Sequence, residues 1–218
     1  MIEKNKKVEF KRKFSFWEMY NSFIFIPRAI WYIIENKKKK ILKPHFIERL
    51  QLAVTEVNGC AACSYQHTKM ALNQWMSNEE ISSFLSGESD FIRPEEAKAI
   101  IFAQHFADTK WHPDKNTYNN IIKEYGKKKA KIIISAVQIM MAGNMYGIPF
   151  SAFQSRLKKN PYKGSTLLYE LGMMITGILC LPIAILQWLL RIIFGFPNER
   201  FAKDMEENTK QNKLSKKN

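Results

Sequence analysis

From residue 44 to residue 163 the apolar residues recur at helical spacing and nowhere alternate as they would in a strand. That restricts the chain to helices. Ile47, Leu50, Val54 and Val57 mark one helical face, and a second helix is expected over residues 60–75. Ser77-Asn78-Glu79-Glu80 has the form of a capping box and leads into Ile81, Phe84 and Leu85, with Gly87 as the stop. Arg93-Pro94-Glu95-Glu96 opens the next helix, whose apolar stripe is Ala99, Ile100, Ala103 and Phe106. Residues 114–125 and 129–146 supply two more, with breaks expected at Gly126 and at Gly147-Ile148-Pro149. About six helices in this stretch predict an all-α helical bundle.

Within that bundle one string carries chemistry: Glu48, eleven residues, Cys60-Ala61-Ala62-Cys63, three residues, His67. Asn58-Gly59 stops the helix that holds Glu48, so the next helix opens at or just before Cys60. Both thiols then fall in a first turn, where unsatisfied N–H groups and the helix dipole favour thiolate over thiol. Cysteines at i and i+3 can close a disulfide, and His67, four residues after Cys63, shares its helical face. This is redox equipment, a dithiol beside an acid/base group. The ordinary alternatives are a core histidine at His67 and, at Glu48, a carboxylate that stabilises a helix start just after Pro44. A zinc site would have to recruit Glu48 and His67 beside both thiolates, because no second Cys/His pair stands at finger spacing. His45, His105 and His112 have no partner at a telling spacing. Cys180 is the remaining cysteine and reads as a small apolar filler.

The 218 residues suggest one domain with appendages: 1–43, 44–163, 164–197 and 198–218. The first is basic, then aromatic, then basic. Pro27 divides its aromatic stretch, residues 14–32, into pieces too short for a bilayer of ~30 Å hydrocarbon, so interfacial anchoring is expected. The third holds residues 171–190, twenty without a charge, which is long enough to span. Basic residues lie on both flanks, however, and a single crossing cannot keep both in the cytoplasm. A helix–break–helix at Leu181-Pro182 that dips into one leaflet and returns would satisfy both, whereas a true span or a protein-buried helix is the alternative. The last part is expected to be a basic, disordered tail.

The net charge of +14 calls for an acidic partner surface. The lysine clusters border apolar runs and come with no zinc finger, RRM-like or helix-turn-helix signature, so anionic lipid is expected and nucleic acid is not. Residues 1–13 are dense in charge and no small-residue cleavage site follows. With only one close cysteine pair, a reducing, cytoplasmic compartment is expected for the helical domain.

Glu48, Cys60, Cys63 and His67 resemble the pattern of the alkylhydroperoxidase D-like branch of the carboxymuconolactone decarboxylase family. The resemblance runs over roughly residues 40–160, including residues 97–107 and 139–147, and leaves 1–40 and 165–218 outside. It implies an all-α fold and a homo-oligomer, a trimer or a multiple of one. It also implies a peroxidase or peroxiredoxin-type antioxidant activity with hydroperoxide as substrate, and an external dithiol or a peroxiredoxin as redox partner. Cys60 and Cys63 would be the redox pair, Glu48 and His67 the proton relay, and no cofactor or metal is implied. Helix-terminus reasoning alone favours Cys60 as nucleophile. The resemblance favours Cys63, as does His67 one turn beyond it. Some relatives carry a histidine between the cysteines, where this chain has Ala61-Ala62. A membrane-tethered thiol-disulfide oxidoreductase and a non-enzymatic oligomeric adaptor remain the competing readings.

Overall fold

The structure, a computed structural model, describes residues 9–196. Among them are eight helices and no strand. They are α1 (Phe16–Phe23), α2 (Ile26–Lys39), α3 (Pro44–Asn58), α4 (Ala61–Leu72), α5 (Asn78–Ser86), α6 (Ala97–Asp108), α7 (Lys115–Leu157) and α8 (Leu167–Ile193). Residues 1–8 and the basic tail expected from 198 lie outside the described residues.

Most starts follow from local chemistry. Ser15, Ser77, Asp114 and Thr166 each accept a backbone N–H two or three residues into the helix they precede. Pro44 sits in the first turn of α3, where its missing N–H is harmless. Gly59 ends α3 at φ 70°, a conformation that side chains with a Cβ resist.

Helix α3 lies at the centre. Leu50, Leu52, Ala53 and Val54 are fully buried, and α3 packs on α4, α5, α6 and α7. An unanticipated ionic knot also holds it: buried Arg49 reaches Glu80 at the start of α5 and Glu96 at the start of α6.

Two expected breaks do not occur. The break expected at Gly126 is present, its non-helical φ 74°, ψ 156° kinking α7, but the helix then runs through Gly147-Ile148-Pro149 to Leu157. Met145, Ile148 and Ala152 are buried there, and their packing outweighs the ~3 kcal/mol cost of an internal proline. Helix α8 likewise passes through Pro182, so the helix–break–helix expected at Leu181-Pro182 is one continuous rod.

The aromatic stretch expected at a membrane interface is divided between inside and outside. Phe14, Met19, Phe23 and Ile24 join the same core as α3 and α7, while Phe16, Trp17, Ile30, Trp31 and Ile34 face outward. Pro27 falls in the first turn of α2, just after the corner that separates α1 from α2.

Candidate active site

Helices α3 and α4 form a hairpin around Gly59, and this turn brings their functional side chains together. Glu48 is buried on α3, and its Oε1 lies 2.6 Å from His67 Nδ1 on α4. Cys60 caps α4, and its Sγ accepts the Cys63 N–H at 3.3 Å. The two cysteines are joined by a disulfide with a Cα–Cα separation of 5.3 Å. First-turn N–H groups aimed at sulfur stabilise negative charge there when the bond is open. Cys60 is fully enclosed, whereas Cys63 is 9% exposed.

Gly147 of α7 lies directly against the disulfide. A Cβ there would stand 2.6 Å from Cys63 Sγ and 2.7 Å from Cys60 Sγ. Ser151, one turn later, accepts the Ala62 N–H at 3.0 Å and donates to Gly147 O at 2.7 Å, tying the first turn of α4 to α7. Gly143 O is 3.6 Å from Cys63 Sγ. Asn144 Oδ1 accepts from Asn58 Nδ2 at 3.0 Å, and Asn144 Nδ2 donates to Thr55 at 3.3 Å. This buried network holds the end of α3, and hence the turn into Cys60, against α7.

The sequence places Glu48, Cys60, Cys63 and His67 on two successive helices but assigns Gly147 and Ser151 no part in the site. Their signal is small residues at Gly143, Gly147 and Ser151, four apart on one helical face. A row of this kind lets another backbone approach closely. The sequence instead predicts a helix stop at Gly147.

Beside the motif lies a groove of about 690 Å³, lined by Ala61, Ala62, Tyr65, Phe150, Gln154 and Tyr162 among others. His105 pairs with Asp114 at 3.2 Å and His112 with Lys110 O at 3.0 Å. Among the described residues no three His, Cys, Asp or Glu side chains converge as metal ligands.

The model of the carboxymuconolactone decarboxylase family matches residues 27–104. The match takes in α2 through most of α6, beginning earlier and ending sooner than the 40–160 expected from the motif. It contains Glu48, Cys60, Cys63 and His67 but not the part of α7 that contacts the disulfide. No curated protein and no solved structure matches the chain. Over residues 27–104 the chain thus resembles the carboxymuconolactone decarboxylase family, and the alkylhydroperoxidase D-like branch is consistent with that match.

Proposed function

We propose that this chain is a dithiol-dependent hydroperoxide reductase of the peroxiredoxin-type antioxidant class. The observation that carries the reading is the Cys60–Cys63 disulfide at the start of α4, on the same helical hairpin as the Glu48–His67 hydrogen bond.

The chemistry follows from the dithiol state. Cys63, the more exposed cysteine, attacks as thiolate the distal oxygen of a hydroperoxide. An S–O bond forms, the O–O bond breaks, and the leaving alkoxide takes a proton to depart as alcohol, or as water from hydrogen peroxide. The Glu48–His67 pair supplies that proton and recovers it from the next thiol. Cys60 sulfur then attacks the sulfenic sulfur, the S–S bond forms and water leaves. An external dithiol reopens the disulfide by two exchange steps. By the same exchange chemistry the dithiol state would reduce the disulfide of a peroxiredoxin partner.

The test is purified protein with cumene hydroperoxide and dithiothreitol, followed by mass spectrometry of the Cys60–Cys63 peptide. Peroxide-dependent loss of two thiols, with Cys180 still reduced, is expected. Turnover of insulin disulfides without peroxide consumption would replace this reading with a thiol-disulfide oxidoreductase. Cellular activity that survives conversion of both cysteines to serine would mean a non-enzymatic adaptor.

The same proposal includes a homo-oligomer, a trimer or a multiple of one, with the helical domain in the cytoplasm at the cell membrane and an anionic lipid surface as partner. Two helices, α7 and α8, are long and apolar enough to cross a bilayer by length and composition. Helix α7 is a core helix, its most apolar window 83% buried, whereas that of α8 is only 17% buried. The membrane proposal therefore rests on α8.

A further inference from the structure

We infer that α8 docks in the plane of a lipid surface, half-embedded and parallel to it, rather than across the bilayer. This deepens the membrane proposal above and rests on it.

One stripe of α8 is pressed against the body of the protein. Glu170, Met173, Gly177 and Ala184 are its buried residues. At mid-length a Cβ on Gly177 would meet the Tyr146 ring of α7 at 2.9 Å and Met19 of α1 at 3.3 Å. Glu170 is held by Arg156 at 2.7 Å and 2.8 Å, and near the other end Gln187 accepts from Tyr20 at 2.6 Å. From Glu170 to Gln187 the helix therefore lies on the domain for roughly 25 Å, at 1.5 Å per residue. A crossing would have to carry α1 and the end of α7 into hydrocarbon with it. Those segments hold Glu18, which pairs with Lys110, and Gln154 and Arg156. Such groups are not tolerated facing lipid chains.

The opposite side of α8 is uncovered. Ile175, Ile178, Leu179, Leu186, Leu189 and Ile193 are exposed, and the helix carries no charge besides Glu170 and Arg191. At 3.6 residues per turn the exposed apolar positions, with Leu181 and Ile192 on one edge and Leu190 and Ile183 on the other, sweep roughly 200° of its circumference. A single packing stripe on a partner helix takes about half of that. A fluid of acyl chains covers the whole arc. The rim also fits a lipid–water boundary: exposed Trp17 stacks on Tyr20 at 5.5 Å, and the Arg191 guanidinium lies 5.3 Å over the Phe25 ring. A second copy on this face would bring the same +14 net charge, whereas anionic headgroups oppose it.

The test uses the spacing of three exposed leucines. Leu168, Leu179 and Leu190 are eleven residues apart, three turns, so they share one side of α8. Each is changed to cysteine in the full-length Cys180→Ser chain, with Cys60–Cys63 oxidised, and labelled with an environment-sensitive fluorophore. Phosphatidylglycerol/phosphatidylcholine vesicles carry quenchers at graded acyl depths. An in-plane helix gives all three labels the same shallow depth. A label on Leu179→Cys at the bilayer centre, with the other two at opposite interfaces, overturns the in-plane inference and leaves the membrane proposal standing. No quenching and no co-sedimentation, with the labelled protein still cycling its Cys60–Cys63 disulfide, overturns both. A soluble oligomer in that case would assign the face to a second copy.

Discussion

Gly147 has no β-carbon, and the disulfide occupies the space where one would be. Gly147→Ala must push a sulfur or the α7 backbone aside, an overpacking that typically costs about 1–3 kcal/mol. Urea unfolding of the oxidised protein should show that loss. Gly143 is the control: nothing lies within 4 Å of its Cβ position, so Gly143→Ala should gain about 0.5–1 kcal/mol from helix propensity. Equal losses at both positions would mean that α7 tolerates no added side chain anywhere, and the disulfide contact would have no special weight. The chemical pair is tested by Glu48→Gln and His67→Ala. Each should slow peroxide turnover by about 10²–10⁴-fold, as lost general acid–base groups do, with the circular-dichroism spectrum unchanged. Cys63→Ser should abolish consumption. Cys60→Ser should leave one sulfenic-acid turnover that dimedone traps on Cys63, and dimedone labelling confined to the Cys63→Ser protein would reverse the two roles.

At the scale of elements, three helices depend on one buried side chain. Arg49→Ala leaves Glu80 and Glu96 facing each other's charge without a cation, and removal of one partner from such a buried pair costs about 3–5 kcal/mol. Partly exposed Glu80 brings the expected loss toward the lower end, and a shift in the urea midpoint reads it. The start of α7 carries a pH dependence. Hydrogen bonds from the Thr117 side chain and backbone, with lesser help from His105, hold the Asp114 carboxyl below its ordinary value. A depressed folded pKa stabilises at neutral pH, and that contribution is lost as pH falls through the folded value. Asp114→Ala should therefore cost about 1 kcal/mol at neutral pH, a typical N-cap loss, and the gap from wild type should close in acid. Urea unfolding at the two pH values checks both statements. The cap at Ser77 and the stop at Gly59 are legible in sequence because each is a local exchange of hydrogen bonds. Pro149 and Pro182 misled because proline chemistry is local, whereas the packing that keeps both helices continuous comes from residues far away in sequence. Arg49 was invisible for the same reason: its partners stand 31 and 47 residues downstream.

For the whole molecule, the sequence showed that the protein has two apolar ends but not how each is used. Helical spacing alone cannot say that Met19 and Ile24 enter the core while Trp17 and Trp31 face outward, since both sets are apolar. The difference emerges only when α1 and α2 pack on α7 and α8. That packing leaves a broad apolar face of α8 uncovered among the described residues, which decides what should release the protein from membranes. Basic residues near anionic lipid contribute ~1 kcal/mol each, and salt near 1 M shortens the screening length to ~3 Å, so high salt removes that part. Each leucine-like side chain withdrawn from water contributes roughly 1.5–3 kcal/mol, and salt does not weaken it. The exposed row of α8 holds several, so wild-type protein should stay with the membrane pellet in high salt and leave it only in detergent. Leu179→Glu with Leu186→Glu removes two such side chains and sets two charges against the acyl region. Both side chains are more than half exposed, so the double variant should move to the soluble fraction and still cycle Cys60–Cys63. Release of the wild type by salt alone would transfer the binding to its lysines, and a double variant that pellets like wild type would show that α8 is not the anchor.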